Sequence, residues 1–281
     1  MTVASLAGIR VVAVATNVPG PVAAGRLRAL GASVTKVEPP EGDPLSSAAP
    51  AWYAVLVADC AVHRLDLRAP AGRAALDEIL AAADLLLTAL RPAALARLGL
   101  DDAGLRERFP RLARVAIVGH AAPEEDRPGH DLTYLAPHGL VAPPGLPRTL
   151  VADLLGAERA VTAALALLFA RERGGGAGAT VVALADAARD AAAPLRTGLT
   201  APDGALGGAF PGYGLYRARS GWVAIAALEE RFRARLSTAL GVPLDRNALE
   251  RAFRARTGDE WEEWARARDL PIAAVRGEAT A

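Results

Sequence analysis

The chain has 281 residues, room for one large domain or two modest ones, and enough to bury a core without staples. Its 32 basic and 31 acidic residues leave a formal charge of +1, so no overall field draws it to nucleic acid or anionic lipid. Hydrophobic residues at 52% and charged residues at 22% exclude a disordered chain, and a single cysteine excludes an internal disulfide or a cysteine zinc site.

Residues 9–15 form a short β-branched run. No basic leader precedes it and Arg10 interrupts it, so it reads as a strand and not as a signal or membrane anchor. Pro21 opens a helical pattern that runs to Leu30 and is closed by Gly31. The unit recurs, with strands at 33–38, 62–67, 84–89 and 114–118 and helices at 69–83, 93–98 and 101–107. Strands spaced by helices imply parallel pairing, because a parallel crossover needs a dozen or more residues. The expected fold class is α/β, a Rossmann-like parallel sheet flanked by helices.

Residues 119–148 break this rhythm with six prolines and three of the four histidines. Irregular stretches of that length in compact domains are usually functional. A long, mostly buried helix is expected at 151–173, where Asp153, Glu158 and Arg159 exclude a lipid-facing span. A strand at 179–185 and a helix at 186–197 follow. Beyond the Gly- and Pro-rich residues 198–212, segments 213–218 and 222–227 flank Arg219-Ser220-Gly221 and predict a hairpin, with helices near 229–240 and 259–268. The boundary is therefore set at 197/198, giving a large Rossmann-like domain, 1–197, and a small α+β domain, 198–281. A soluble, cytoplasmic protein of a reducing compartment is expected, with no membrane and no nucleic acid among its partners.

Several chemistries lose their footing. The first strand-to-helix turn, 16–20, has one glycine and no G-x-G-x-x-G, which disfavours NAD or FAD. The glycines of 174–178 follow a helix and precede a strand, whereas phosphate cradling needs a helix after the glycines. Neither G-x-S-x-G nor H-E-x-x-H occurs, and His63, His120 and His138 have no metal-ligand spacing. No metal and no cofactor are expected.

What remains is Gly129-His130-Asp131-Leu132-Thr133-Tyr134 in the irregular stretch, Leu150-Val151-Ala152-Asp153 at the long helix, and Glu229 after an apolar strand. Each acidic residue has a plainer reading as a helix N-terminal acid, and His130 as a loop or cap histidine. None of the three is specific by itself.

Taken together, ordered segments resemble family III CoA-transferases, the group that includes carnitine CoA-transferases, formyl-CoA transferase and α-methylacyl-CoA racemase. The segments are Leu6-Ala7-Gly8-Ile9-Arg10-Val11-Val12, the run from Leu30 through Lys36-Val37-Glu38-Pro39-Pro40, Leu65-Asp66-Leu67, Arg91-Pro92 and Arg97-Leu98-Gly99-Leu100. Asp126-Arg127-Pro128-Gly129-His130-Asp131, Val151-Ala152-Asp153 and Ala227-Leu228-Glu229 continue the series. The resemblance implies a large Rossmann-like domain joined to a small one, an acyl-CoA substrate, and an interlocked homodimer. CoA enters only as part of the substrate thioester. In the transferase branch, the aspartate matching Asp153 attacks the thioester to form a mixed anhydride. The racemase branch has G-H-D where His130 stands, so the resemblance points to an α-methylacyl-CoA racemase-like isomerase.

In that reading His130 and Asp153 flank the α-carbon and exchange roles as base and acid, while Glu229 orients His130 from the partner's small domain. Backbone N–H groups at the start of the Asp153 helix are expected to hold the enolate oxygen. Lys36 and Arg91 match nucleotide-contacting positions, and Asp131 and Tyr134 join them as substrate or CoA contacts. Departures accompany the matches. Leu154, Leu155, Gly156 and Ala157 follow Asp153 where family members usually have glycines, the Gly-rich stretch before Asp126 is shortened, and Asp59-Cys60-Ala61 stands for R-G-K. The family's return segment to the large domain has no counterpart after Arg276.

Overall fold

The computed structural model describes residues 4–277. The chain divides into two compact units, Met1–Ala192 and Ala193–Ala281. The first unit holds strands β1 (Arg10–Val14), β2 (Ser33–Glu38), β3 (Ala61–Arg64), β4 (Leu85–Thr88), β5 (Ala113–Val118) and β6 (Ala179–Ala183). Every neighbouring pair is parallel, in the order β3-β2-β1-β4-β5-β6.

Alternation along each strand explains why the runs are continuously apolar. β1 sends Val11 and Ala13 to one face and Val12 and Val14 to the other, and β4 divides Leu85 and Leu87 from Leu86 in the same way. The helices Pro19–Ala29 and Val151–Glu172 cover the first face, where Ala23, Ala24, Ala157, Ala160 and Ala164 are buried. Helices Pro70–Ala81, Pro92–Arg97 and Asp102–Arg108 cover the other with Leu76, Leu80, Leu95 and Leu105. Gly20 lies so close beneath the end of β1 that a Cβ there would meet the Ala15 Cβ at 2.5 Å. The first crossover helix can therefore start directly behind the strand.

The second unit pairs β7 (Tyr213–Arg217) with β8 (Trp222–Ala226) in the expected hairpin, and adds β9 (Ile272–Ala274) antiparallel to β8. Its own core gathers Tyr216, Val223, Ile225, Leu236, Phe253, Trp261 and Trp264. Phe253, Trp261 and Trp264 meet edge to face at ring separations of 5.1 and 5.0 Å. Thr257 and Glu260 form a capping box that starts the helix Gly258–Arg266.

The differences from the sequence reading have local causes. The expected strand 179–185 gives way to helix at Leu184, and the expected helix 186–197 is split into Leu184–Ala191 and Ala193–Arg196. Pro194 accounts for the split: it has no N–H to donate to the Asp190 carbonyl, and its ring crowds that carbonyl. The division between units falls there, ahead of the 197/198 position read from the sequence. Helices Pro44–Ala48, Pro50–Leu56 and Arg246–Phe253 were not foreseen, although Asp43 and Asp245 cap the first and last through their side chains. Among the described residues, no helix is long and apolar enough to cross a membrane.

Candidate active site

In an open parallel sheet, ligands bind beyond the carboxyl ends of the strands where the order reverses. Here that point lies between β1 and β4. The turns leaving β1, β4 and β5 bring Thr16, Asn17, Ala89, Arg91 and Gly119 to the rim of a cleft of about 230 Å³, closed on its other side by Glu125, Arg127, His130, Tyr134 and Asp153. A larger hollow of about 570 Å³ lies on the small sheet, but its lining carries no carboxylate, imidazole or cation. The cleft, unlike that hollow, is lined by carboxylates, an imidazole and cations.

Asp153 is the third residue of the helix Val151–Glu172 and is half-buried. Burial first, and then the nearby Asp131 carboxylate, push its pKa from 3.8 to about 7. A helix N-terminus favours a carboxylate anion, so here desolvation outweighs the dipole. Asp131 belongs to a different segment. Its Oδ1 accepts the backbone N–H of Asp153 at 3.0 Å, so this 4% exposed side chain caps the long helix from outside.

His130 stands at the start of the short helix Asp131–Leu135, its ring exposed on the cleft wall. Its backbone is pinned by Thr133, whose Oγ1 accepts from the His130 N–H at 3.0 Å and donates to the His130 carbonyl at 2.8 Å. Tyr134, 4% exposed, lies edge-on to His120 with ring centres 5.2 Å apart. A Cβ on Gly119 would reach the Tyr134 hydroxyl at 2.5 Å, and one on Gly129 would reach its ring at 2.4 Å. The ring occupies a slot that only glycines leave open.

The sequence pattern of CoA-transferase family III matches residues 6–281. The chain belongs to CoA-transferase family III. Among its relatives in that family, it is 33% identical over 201 residues to the probable fatty acyl-CoA transferase Rv3272 of Mycobacterium tuberculosis, covering 65% of this chain and 51% of that one. It is 37% identical over 149 residues to the cinnamoyl-CoA:phenyllactate CoA-transferase of Clostridium sporogenes, covering 48% of this chain and 36% of the relative. The matched region spans about half or less of these curated relatives' own length. The crystal structure of the Rv3272 protein superposes with a TM-score of 0.82 at 26% identity, covering 97% of this chain and 84% of that one.

Four of the seven residues nominated from the sequence line the one cleft: Arg91, His130, Tyr134 and Asp153. Asp131 supports it from behind, as a cap and not as a substrate contact. Lys36 lies outside the cleft lining. Only 1% exposed, its Nζ donates to the Ala15 carbonyl at 3.0 Å and to Asp43 Oδ2 at 2.8 Å, with Glu38 Oε1 at 3.2 Å. Asp43 Oδ1 in turn accepts from the Asn17 N–H at 3.0 Å. Lys36 therefore fastens the turn that floors the cleft. Glu229 stands exposed at the head of the helix Glu230–Leu240 in the second unit, with no side-chain cap bond.

At the helix start, two of the backbone amides are already engaged. The Asp153 N–H is engaged by Asp131, and the Leu154 N–H donates to the Leu150 carbonyl at 3.0 Å, so neither is free to hold an oxyanion. Thr16, Asn17, Glu125 and Arg127 line the cleft without having been nominated. Strand order brings Thr16 and Asn17 beside the turn after β4, whereas Glu125 and Arg127 sit next to His130 in the irregular stretch already singled out in the sequence. Among the described residues, no group of three or more His, Cys, Asp or Glu could hold a metal ion.

Proposed function

We propose that this protein transfers CoA between carboxylic acids, with Asp153 as the reacting carboxylate. The observation that carries the reading is the half-buried Asp153 in the switch-point cleft, its pKa pushed to about 7. A desolvated carboxylate of raised pKa is a stronger nucleophile than an exposed one, yet a large fraction of it is ionised at neutral pH. A carboxylate oxygen of Asp153 attacks the thioester carbonyl, the C–S bond breaks, and the CoA thiolate leaves a mixed anhydride. The thiolate then attacks the aspartyl carbonyl and releases the first acid, leaving an aspartyl-CoA thioester. The acceptor carboxylate attacks that thioester and expels the thiolate, which then attacks the acceptor's acyl carbon in the new anhydride, freeing the acceptor's CoA thioester and the Asp153 carboxylate. The relatives' names, cinnamoyl-CoA:phenyllactate CoA-transferase and succinyl-CoA–D-citramalate CoA-transferase among them, support the same class.

His130 in the same cleft favours a second reading: epimerisation at the α-carbon of a 2-methylacyl-CoA, with His130 and Asp153 exchanging one proton through an enolate and Glu229 orienting His130 in a homodimer. The two readings separate in one experiment. The protein is incubated with propanoyl-CoA and with (R)-2-methylbutanoyl-CoA in D2O, then treated with hydroxylamine. CoA transfer predicts an Asp153 hydroxamate by mass and no α-deuterium. Epimerisation predicts α-deuterium and no hydroxamate. Neither signal, from wild type at high protein concentration, would sink both.

A further inference from the structure

Either reaction places negative charge on the thioester carbonyl oxygen, and that charge needs a donor fixed in advance. Of the helix-start amides, those of Asp153 and Leu154 already donate within the protein. The Tyr134 hydroxyl is an uncommitted, uncharged donor lining the same cleft as Asp153. It makes no hydrogen bond to any described residue, and it is not among the polar atoms shut off from solvent without a partner. The 4% of Tyr134 that remains exposed therefore includes the hydroxyl, and the residue lines the cleft.

Its aim is fixed by its surroundings. Gly119, at the end of β5, and Gly129, one residue before His130, leave the space the ring occupies, and a Cβ on either would come within 3 Å of the hydroxyl oxygen. The backbone is held by the Tyr134 N–H donating to the His130 carbonyl at 3.2 Å. The ring is braced edge-on by His120. A side chain with this little freedom needs no reorganisation when charge appears in front of it.

We propose that the Tyr134 hydroxyl donates a hydrogen bond to the thioester carbonyl oxygen of the bound acyl-CoA and holds that oxygen as charge builds on it. The inference rests on the reading of the cleft as an acyl-CoA site. Its chemistry stays available across the working pH range. Burial, with the Asp153 and Asp131 carboxylates, raises the phenol's pKa against the opposing pull of Arg91, so the proton to be donated is retained.

The test compares two ligands that differ only at the carbonyl. Propanoyl-CoA carries it, and S-propyl-CoA has CH2 in its place. Calorimetric affinities are measured for wild type, Tyr134→Phe and Asp153→Asn. Wild type is expected to bind the thioester about tenfold more tightly, the size of one net hydrogen bond. Tyr134→Phe, which keeps the ring in its slot, is expected to bind both ligands equally, with S-propyl-CoA affinity unchanged. Turnover is expected to drop about 100-fold in kcat with little change in KM, as when one oxyanion donor is lost. A Tyr134→Phe protein that keeps the thioester preference overturns the role of Tyr134, and the site reading still stands if Asp153→Asn abolishes turnover. A wild type that binds neither ligand overturns both.

Discussion

Asp153 carries two obligations that pull in opposite directions. The folded chain holds its proton with a pKa of about 7, against about 3.8 when unfolded. Unfolding between those values releases the proton, so stability falls as pH rises from about 4 to about 7 and stays lowered above. Asp153→Asn is therefore expected to stabilise the protein by ~2 kcal/mol at pH 8 and by almost nothing at pH 3.5. Urea unfolding at the two pH values checks this, and an equal gain at both would be the contrary result. Transfer through the ionised carboxylate also predicts that activity climbs through about pH 7 and levels off. Lys36 is the opposite kind of residue. Lys36→Met leaves Glu38 and Asp43 buried without their cation, and is expected to cost ~3 kcal/mol of stability in the same assay. A surface nucleotide contact would instead weaken CoA binding and leave the urea midpoint in place.

At the scale of elements, the long helix Val151–Glu172 is held at its start by a carboxylate from another segment. Asp131→Asn keeps an oxygen to accept the Asp153 N–H and removes the charge. The activity midpoint is therefore expected to move below pH 7, because the second cause raising Asp153 is gone. A pH–rate profile of this variant that overlays wild type would count against the electrostatic coupling. The strands and crossover helices were readable because both faces of a parallel sheet are buried, which writes Val-Val-Ala-Val and Leu-Leu-Leu-Thr into β1 and β4. The five-residue Asp131–Leu135 and three-residue β9 were not, being too short to show a period. The burial of Lys36 was not legible for a related reason. Its fate depends on Asp43 folding back beneath β1, and no spacing within β2 encodes that return.

At the scale of the molecule, the second unit has a core entirely of its own residues. A fragment of residues 193–281 is expected to unfold cooperatively, followed by the fluorescence of Trp261 and Trp264. A broad, non-cooperative change would show that it depends on the rest of the chain. The membership of the cleft was legible in pieces: Gly129-His130-Asp131 and Val151-Ala152-Asp153 pointed to it, while Thr16 and Asn17 emerged only with the strand order.

The buried Lys36 cluster also divides the cleft into two walls with different evolutionary freedom. The turn at 15–17 is riveted from beneath by Lys36 and Asp43, so a substitution that shifts it disturbs interior charges as well. The facing segment, 124–128, is largely exposed and held by short local bonds and one from the Ala93 N–H to Asp126. New acyl preferences can therefore accumulate on that side at little structural cost, and a library randomised at Glu125 and Arg127 is where altered selectivity would surface first.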